Sequence, residues 1–509
     1  MPVSETMPTT ALPTLVSPAV RRSGRVVLLL MALFVIVFSV FTIGRYARYN
    51  ATGFDLAFYD QILWRTAHGD VMGLTIEGDH WTNWAFHVEP ILLLIAPFTR
   101  IFSDTRWLLI LQTVVLAVGA VPVYRIARRE WPNPWISTLF AALYLLYPTI
   151  GWADKFDFHP ITLTTPLLLF AFDSAELKRW RLTSILLLLA MLCKEEVGFL
   201  VAIFGLYWYL SPVRWRGGLI WLIIGIGWTL IGFFVIIPAA QGKLFLPDQA
   251  DLRYAWLFHG TLSDKLAYLT GPDTPVKIRF LIQLFAPLAF TSLLKPRILA
   301  IAAPIVGLSL LSTRISQSSV YHHYMADVVP FLLIASIKGT HELPTLLRKI
   351  GARMRPVSVQ RAILIAMSTA TALLFVIFNP FTFIPREPYA PIYGWESGAS
   401  LDGLNAVGAL IPADACLTTS NNIAAHYGQR TYLYVVGIGN YTECDRVLID
   451  LADRRFQEFG SPNAYACKVF NAQNFHPLFY QDHVVLLQKD VPPQATLDQQ
   501  MATFCAQSP

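Results

Sequence analysis

Apolar runs too long for a water-soluble core recur through this chain, and the first of them sets the reading of the rest. Arg21, Arg22 and Arg25 precede an uninterrupted apolar stretch from Val26 to Ile43, enough to cross about 30 Å of hydrocarbon. A signal peptide has a shorter apolar core and a small-residue cleavage site. This run ends instead in Gly44-Arg45-Tyr46, which predicts an uncleaved anchor with its N-terminus in the cytoplasm. Apolar segments recur at about 91–98, 107–124, 134–150, 160–172, 182–193, 197–210, 218–240, 280–294, 298–311, 325–337 and 361–379. Only 14% of the 509 residues are charged and 55% are hydrophobic, against about a quarter charged in an ordinary soluble domain. The formal charge of +6 is then a topology signal, and no nucleic-acid partner is expected.

Orientation follows from where Lys and Arg collect. Clusters at Arg125/Arg128/Arg129, Lys178/Arg179/Arg181, Arg214/Arg216, Lys295/Arg297 and from Lys338 to Arg355 all face the cytoplasm only if segment 91–98 does not cross. That segment has eight residues, punctuated by Pro90 and Pro97, and reads as re-entrant or interfacial on the outer side. The expected architecture is an all-α polytopic protein of the plasma membrane with about 11 transmembrane helices over residues 25–379. Residues 1–24 form a flexible cytoplasmic tail, and the first outer loop, 45–106, carries juxtamembrane helices. Arg45, Arg48, Arg65 and a basic group from Lys243 to Arg279 stand against the charge rule.

From Asn379 the composition changes. Residues 380–509 read as a linker rich in Pro and aromatics (Pro385, Pro388, Pro391, Trp395) and a small extracytoplasmic α/β domain. Strands are expected at Cys416–Ser420, Tyr432–Val436, Arg446–Ile449 and His483–Gln488, and a helix at Asn422–Tyr427. Cys416, Cys444, Cys467 and Cys505 lie here and Cys193 in a span, so two disulfides are predicted with three pairings open. Gly437-Ile438-Gly439 lacks the third glycine and following helix of a dinucleotide site and reads as a turn.

Unusual polar clusters fall on the outer side. Phe54, Phe58 and Ile62 repeat at i+4, which makes residues 53–64 an amphipathic surface helix. Asp55 and Tyr59 share a second face, whereas Asp60 is rotated from Asp55 by about 140°. Asp55 reads as a general base, with Asp60 or Glu89 in reserve. Asp79-His80 and His87-Val88-Glu89-Pro90 lead into the short segment, with His87 and Glu89 spaced to pair or to ligate a metal. Asp154, Asp157 and His159 occupy the next outer loop, an oxygen/nitrogen set that suits a hard divalent cation, Mg or Mn. Lys194-Glu195-Glu196 stands between apolar runs of 12 and 14 residues. These runs predict a short hairpin whose charged tip requires a wet cavity. Tyr321-His322-His323-Tyr324, with Arg314 upstream, suits proton traffic or phosphate hydrogen bonding.

The Phe-Asp-x-x-x-Tyr-Asp-Gln helix, Asp-Phe-His-Pro loop, Cys-Lys-Glu-Glu tip and Tyr-His-His-Tyr segment together resemble a family of prokaryotic membrane proteins, domain of unknown function 2079. That family is grouped with the GT-C glycosyltransferases. The likeness covers roughly residues 45–340, with a looser likeness in the tail. It implies transfer of a sugar from a polyprenyl-phosphate donor to an acceptor at the outer face, with membrane lipid as a partner. By resemblance, Asp55 stands where such enzymes carry a catalytic acidic residue, and Asp154, Asp157 and His159 where they often bind a metal. The second loop lacks an Asp-x-Asp pair, His159 replacing the second acid.

The implied mechanism is a single, inverting displacement with Asp55 as base. The departing phosphate meets a cation at Asp157 and His159, or Lys194, His322 and Arg279. Tyr59, His87, Glu195, Glu196, Tyr321 and His323 complete the expected substrate site. Asp55, Asp157, His159, Glu195 and His322 are then expected to line one outward-facing cavity. The alternative is a transporter or lipid-handling protein with a Lys194–Glu196 and His322–His323 proton relay, although no internal repeat marks two halves. A scaffold whose outer domain binds a partner is the third reading.

Overall fold

Ser17 starts the first helix, Pro18–Ala47, its hydroxyl accepting the Val20 N–H at 3.4 Å. Pro18 occupies a position where no N–H is needed. The computed structural model describes residues 17–78, 81–244, 248–351, 355–381, 399–437, 444–453, 461–472 and 474–507. The tail through residue 16, Asp79-His80, linker residues 382–398 and the turn residues 438–439 lie outside these. Residues 18–24, expected to be flexible, are helical. Phe34, Phe38 and Phe41 face the core, while Leu29 and Val40 stay 68% and 61% exposed, a lipid-facing stripe.

Among the described residues, four helices are long and apolar enough to cross a membrane: Pro18–Ala47, Arg106–Glu130, Gly217–Ala240 and Pro356–Phe378. A fifth arises if Pro134–Leu145 and Pro148–Lys155, bent by 43°, count as one span. Other expected crossings are shorter: Trp180–Met191 has 12 residues and Val197–Leu210 has 14, or about 18–21 Å at 1.5 Å per residue. They flank Lys194-Glu195-Glu196. Segment 280–294 departs from a simple crossing. It is the end of a helix, Thr274–Phe285, followed by two single turns, with Ala289 and Phe290 left-handed at φ 47° and 57°. Pro287, which has no N–H to donate, stands at that break.

Helices Val197–Leu210 and Gly217–Ile231 meet at a glycine seam. A Cβ on Gly198 would lie 2.4 Å from the Gly225 carbonyl oxygen, and one on Gly205 2.4 Å from that of Gly218. Close backbone approach of this kind holds helices together where lipid offers no hydrophobic contrast.

The first outer loop carries a small hairpin, β1 (Gly73–Leu74) with β2 (Trp81–Thr82). The C-terminal region holds β3 (Leu417–Thr419), β4 (Leu433–Val435), β5 (Arg446–Asp450), β6 (Phe475–Gln481) and β7 (Val484–Lys489) in the order β4-β3-β5-β7-β6. β4, β3 and β5 run parallel; β7 is antiparallel to both β5 and β6. The disulfides are Cys416–Cys444 and Cys467–Cys505. Side chains alternate across a strand, so Val447, Ile449, Val485 and Leu487 pack beneath the domain's own helices. Leu448, Val484, Leu486, Leu417 and Leu433 face the other way, into one core with Leu56, Ile62 and Leu63 of the first outer loop. The tail domain therefore shares a core with residues 45–106.

Candidate active site

A π-type turn, Gly53–Ala57, precedes the helix Phe58–Ala67, and Asp55 projects from that turn. Its carboxylate accepts the Thr52 hydroxyl at 2.6 Å, and its Oδ1 lies 3.3 Å from His159 Nε2. Burial would push Asp55 up, but the bonds from His159 and Thr52 outweigh it and hold the carboxyl below its ordinary value. His159 Nδ1 lies 3.1 Å from the Phe156 carbonyl oxygen. Because a carbonyl only accepts, Nδ1 carries a proton and Nε2 faces the Asp55 carboxylate.

Gln112 holds this loop in place. Its Nε2 donates to the carbonyls of Ala153 and Asp154, each at 3.1 Å, while its Oε1 accepts from the His159 N–H at 2.9 Å and the Thr162 hydroxyl at 3.0 Å. A glutamine inside an apolar segment was the available sequence signal.

One cavity of about 320 Å³ gathers Asp55, Tyr59, His87, Glu89, His159, Lys194 and His323, drawn from separate parts of the sequence. Glu77, Arg253, Arg314 and Tyr324 also line it. Glu77 and Arg253 were not among the residues proposed from the sequence. Lys194 pairs with Glu196 at 3.1 Å, and Glu195 bonds His87 Nδ1 at 3.1 Å and the Val88 N–H at 2.9 Å. Burial raises the Glu195 carboxyl, yet His87 and Lys194 overcome that and hold it low. Glu89 accepts the Tyr59 hydroxyl at 3.1 Å and the Asn83 amide at 3.0 Å. The His323 ring stacks on that of His159 at 3.7 Å. Burial keeps His323 neutral and pushes His322 down to about 4.

Several expectations need correction. Glu195 reaches the cavity through His87, and Asp157 stands behind it, paired with Arg45 at 3.1 Å. His322 is also outside the cavity lining. Arg279 and Tyr321 line a different groove, where Gln283 donates to the Tyr321 hydroxyl at 2.9 Å. Asp154, Asp157, His159 and Glu89 do not form one ligand set. Asp157 is engaged by Arg45, Glu89 by Tyr59 and Asn83, and His159 by Asp55. Both carboxylate oxygens of Asp154 lack a hydrogen-bond partner among the described residues. Among the described residues no group of three or more His, Cys, Asp or Glu side chains is placed to hold a metal ion.

Asp60 points away from the cavity into the seam with the tail domain, accepting from Thr105 at 2.6 Å and Gln429 at 3.1 Å. Burial raises its carboxyl to about 6, only partly offset by those two bonds. For a carboxyl raised on folding, the stability contribution is present below the ordinary value of 3.8 and lost as pH rises through about 6. Asp60→Asn is therefore expected to stabilise the protein on the order of 2–3 kcal/mol at pH 8 and hardly at pH 4. Thermal melts of both proteins at the two pH values measure this.

The chain belongs to the family of predicted membrane proteins DUF2079, whose model matches residues 45–486. Its fold is similar to that of ArnT from Cupriavidus metallidurans, solved with undecaprenyl phosphate bound. The TM-score is 0.54 at 12% identity, covering 93% of this chain and 100% of that one. A weaker likeness, TM-score 0.37 at 12% identity, over 82% of this chain and 64% of that one, is to the Archaeoglobus fulgidus oligosaccharyltransferase tethered to an acceptor peptide. No curated protein matches the chain significantly.

Proposed function

We propose that this protein transfers a sugar from a polyprenyl-phosphate donor to an acceptor hydroxyl at the outer face of the membrane, with inversion. The observation that carries the reading is the pairing of Asp55 and His159 in one cavity with Lys194, Arg253 and Arg314. Asp55 takes the hydroxyl proton as the acceptor oxygen bonds to the anomeric carbon. The bond from that carbon to the phosphate oxygen breaks, and the phosphate leaves with the electron pair. Lys194, Arg253 and Arg314 offset its charge, the two arginines replacing Arg279 in this role. The undecaprenyl phosphate bound to ArnT supports a polyprenyl phosphate as the donor's lipid.

Radiolabel transfer from isolated lipid-linked sugars, in membranes with and without the protein, tests the reading. No transfer from any of them by well-inserted protein would overturn it.

The proposed orientation places the N-terminus and Arg214 in the cytoplasm and the tail domain outside, with eleven crossings, the broken segment 280–294 counted among them, as the sequence's charge pattern requires. Arg45 ceases to count against that pattern, since it is buried in its pair with Asp157. On a Cys193→Ser background, Tyr432→Cys is expected to react with an impermeant thiol reagent in intact cells and Arg214→Cys only after lysis. The reverse labelling would undo the orientation.

A further inference from the structure

Outer-loop residues 46–65 are held along their length by one stretch of the tail domain, residues 421–431. His426 lies between the rings of Tyr46 and Tyr49, with centroids at 4.0 and 3.8 Å, and donates from Nε2 to the Tyr46 carbonyl at 2.9 Å. The Asn421 side-chain oxygen accepts the Phe54 N–H at 3.1 Å. Gln429 donates to Asp60 at 3.1 Å, and the Arg430 and Thr431 carbonyls accept from Gln61 and Arg65. The seam is tight at Gly53, where a Cβ would stand 2.9 Å from both the Asn421 carbonyl oxygen and the Ala424 Cβ. Among the described residues lining the cavity, none comes from 421–431.

The Phe54 N–H needs an outside partner. It lies in the first turn of a helical segment, where backbone donors have no acceptor within the helix. The acceptor comes from a residue 367 positions away in sequence, immediately beside the residue that carries the carboxylate. Single π turns are rare and frequently mark functional sites, and this one is clamped from outside the cavity.

We infer that Asn421 is a positioning residue: through the Phe54 N–H it fixes the backbone before Asp55, and with it the direction in which the carboxylate enters the cavity. The catalytic consequence rests on the transfer reaction proposed above; the backbone clamp does not. The test uses full-length protein in lipid nanodiscs. Asn421→Ala removes the acceptor, whereas Asn421→Asp keeps an oxygen in its place.

In Asn421→Ala, turnover with radiolabelled lipid-linked sugar is expected to fall about tenfold or more, because misaligned reacting groups lose rate steeply. Undecaprenyl phosphate binding should stay within about twofold, as the loss is orientational. Amide exchange in the peptide containing Phe54 should speed up in Asn421→Ala, with Asn421→Asp returning both turnover and exchange to the parent values. If Asn421→Ala does not insert, the milder Asn421→Ser carries the same expectation. Unchanged exchange at Phe54, or an Asn421→Asp as impaired as Asn421→Ala, would overturn the inference. If the parent protein transfers no sugar, the transfer reading fails by itself, and Phe54 exchange still decides the clamp.

Discussion

Asp55→Asn is expected to lower sugar transfer by about 10²–10⁴-fold, the usual loss when a general base is removed, while leaving the protein inserted and folded. The change is nearly isosteric. An amide in this place still accepts the Thr52 hydroxyl, so the turn Gly53–Ala57 keeps its bond. What disappears is the proton acceptor and the carboxylate that faces His159 Nε2. A merely structural Asp55 would show the opposite signature, a lower melting point with turnover per folded molecule unchanged. The measurement is therefore radiolabel transfer normalised to folded protein, with thermal melts alongside. Full turnover in Asp55→Asn would remove Asp55 as the base. Glu89 is the next carboxylate in the cavity, although Tyr59 and Asn83 already occupy its oxygens.

What the sequence made legible, and what it did not, follows the range of the physics involved. The anchor helix and the charged break at Lys194 were readable because apolar runs and their charged interruption are local features. Strands β3, β4, β5 and β7 were readable by their apolar runs. β6 was missed because Pro477 interrupts it; its position at the sheet edge, where a missing N–H is tolerated, reconciles the two. Segment 280–294 read as an unbroken helix because its composition is apolar, and composition does not report the left-handed pair Ala289-Phe290.

The site divides in the same way. Asp55, His159 and Lys194 stood out as polar groups in apolar surroundings, and the cavity holds all of them. Arg253 and Arg314 lie in or beside stretches that look like ordinary polar loop, and only the tertiary fold aims them. Arg279 was favoured by sequence position and proves to line another groove. The shared core between the tail domain and residues 45–106 had a sign in the sequence. The uninterrupted Val484-Val485-Leu486-Leu487 run implies a strand buried on both faces, but it does not say which element covers the second face.

Arg45→Ala is expected to cost about 3–5 kcal/mol of stability, the range for breaking a buried ion pair from one side. The Arg45 guanidinium bonds the Lys155 carbonyl, Asp157 Oδ1 at 3.1 Å and the Asn50 carbonyl at 2.6 Å. It thereby ties the end of the first helix to the loop that presents His159. Asp157 also accepts the Thr52 N–H at 3.0 Å, so the same carboxylate braces the turn carrying Asp55. Burial already pushes Asp157 up, with Arg45 pulling it back. Without the guanidinium the carboxylate must either take up a proton or remain charged in a site closed to water. Arg45→Lys should recover little, because one ammonium cannot reproduce the spacing of a planar fork over three oxygens. Pairing Arg45→Ala with Asp157→Asn provides the decisive comparison. If the stranded charge causes the loss, the double variant should be more stable than Arg45→Ala alone, by about 1–3 kcal/mol in a thermal or denaturant melt. A double variant that simply adds the two single losses would show that Arg45 acts through packing, and the link from Arg45 through Asp157 to the Asp55 turn would be lost with it.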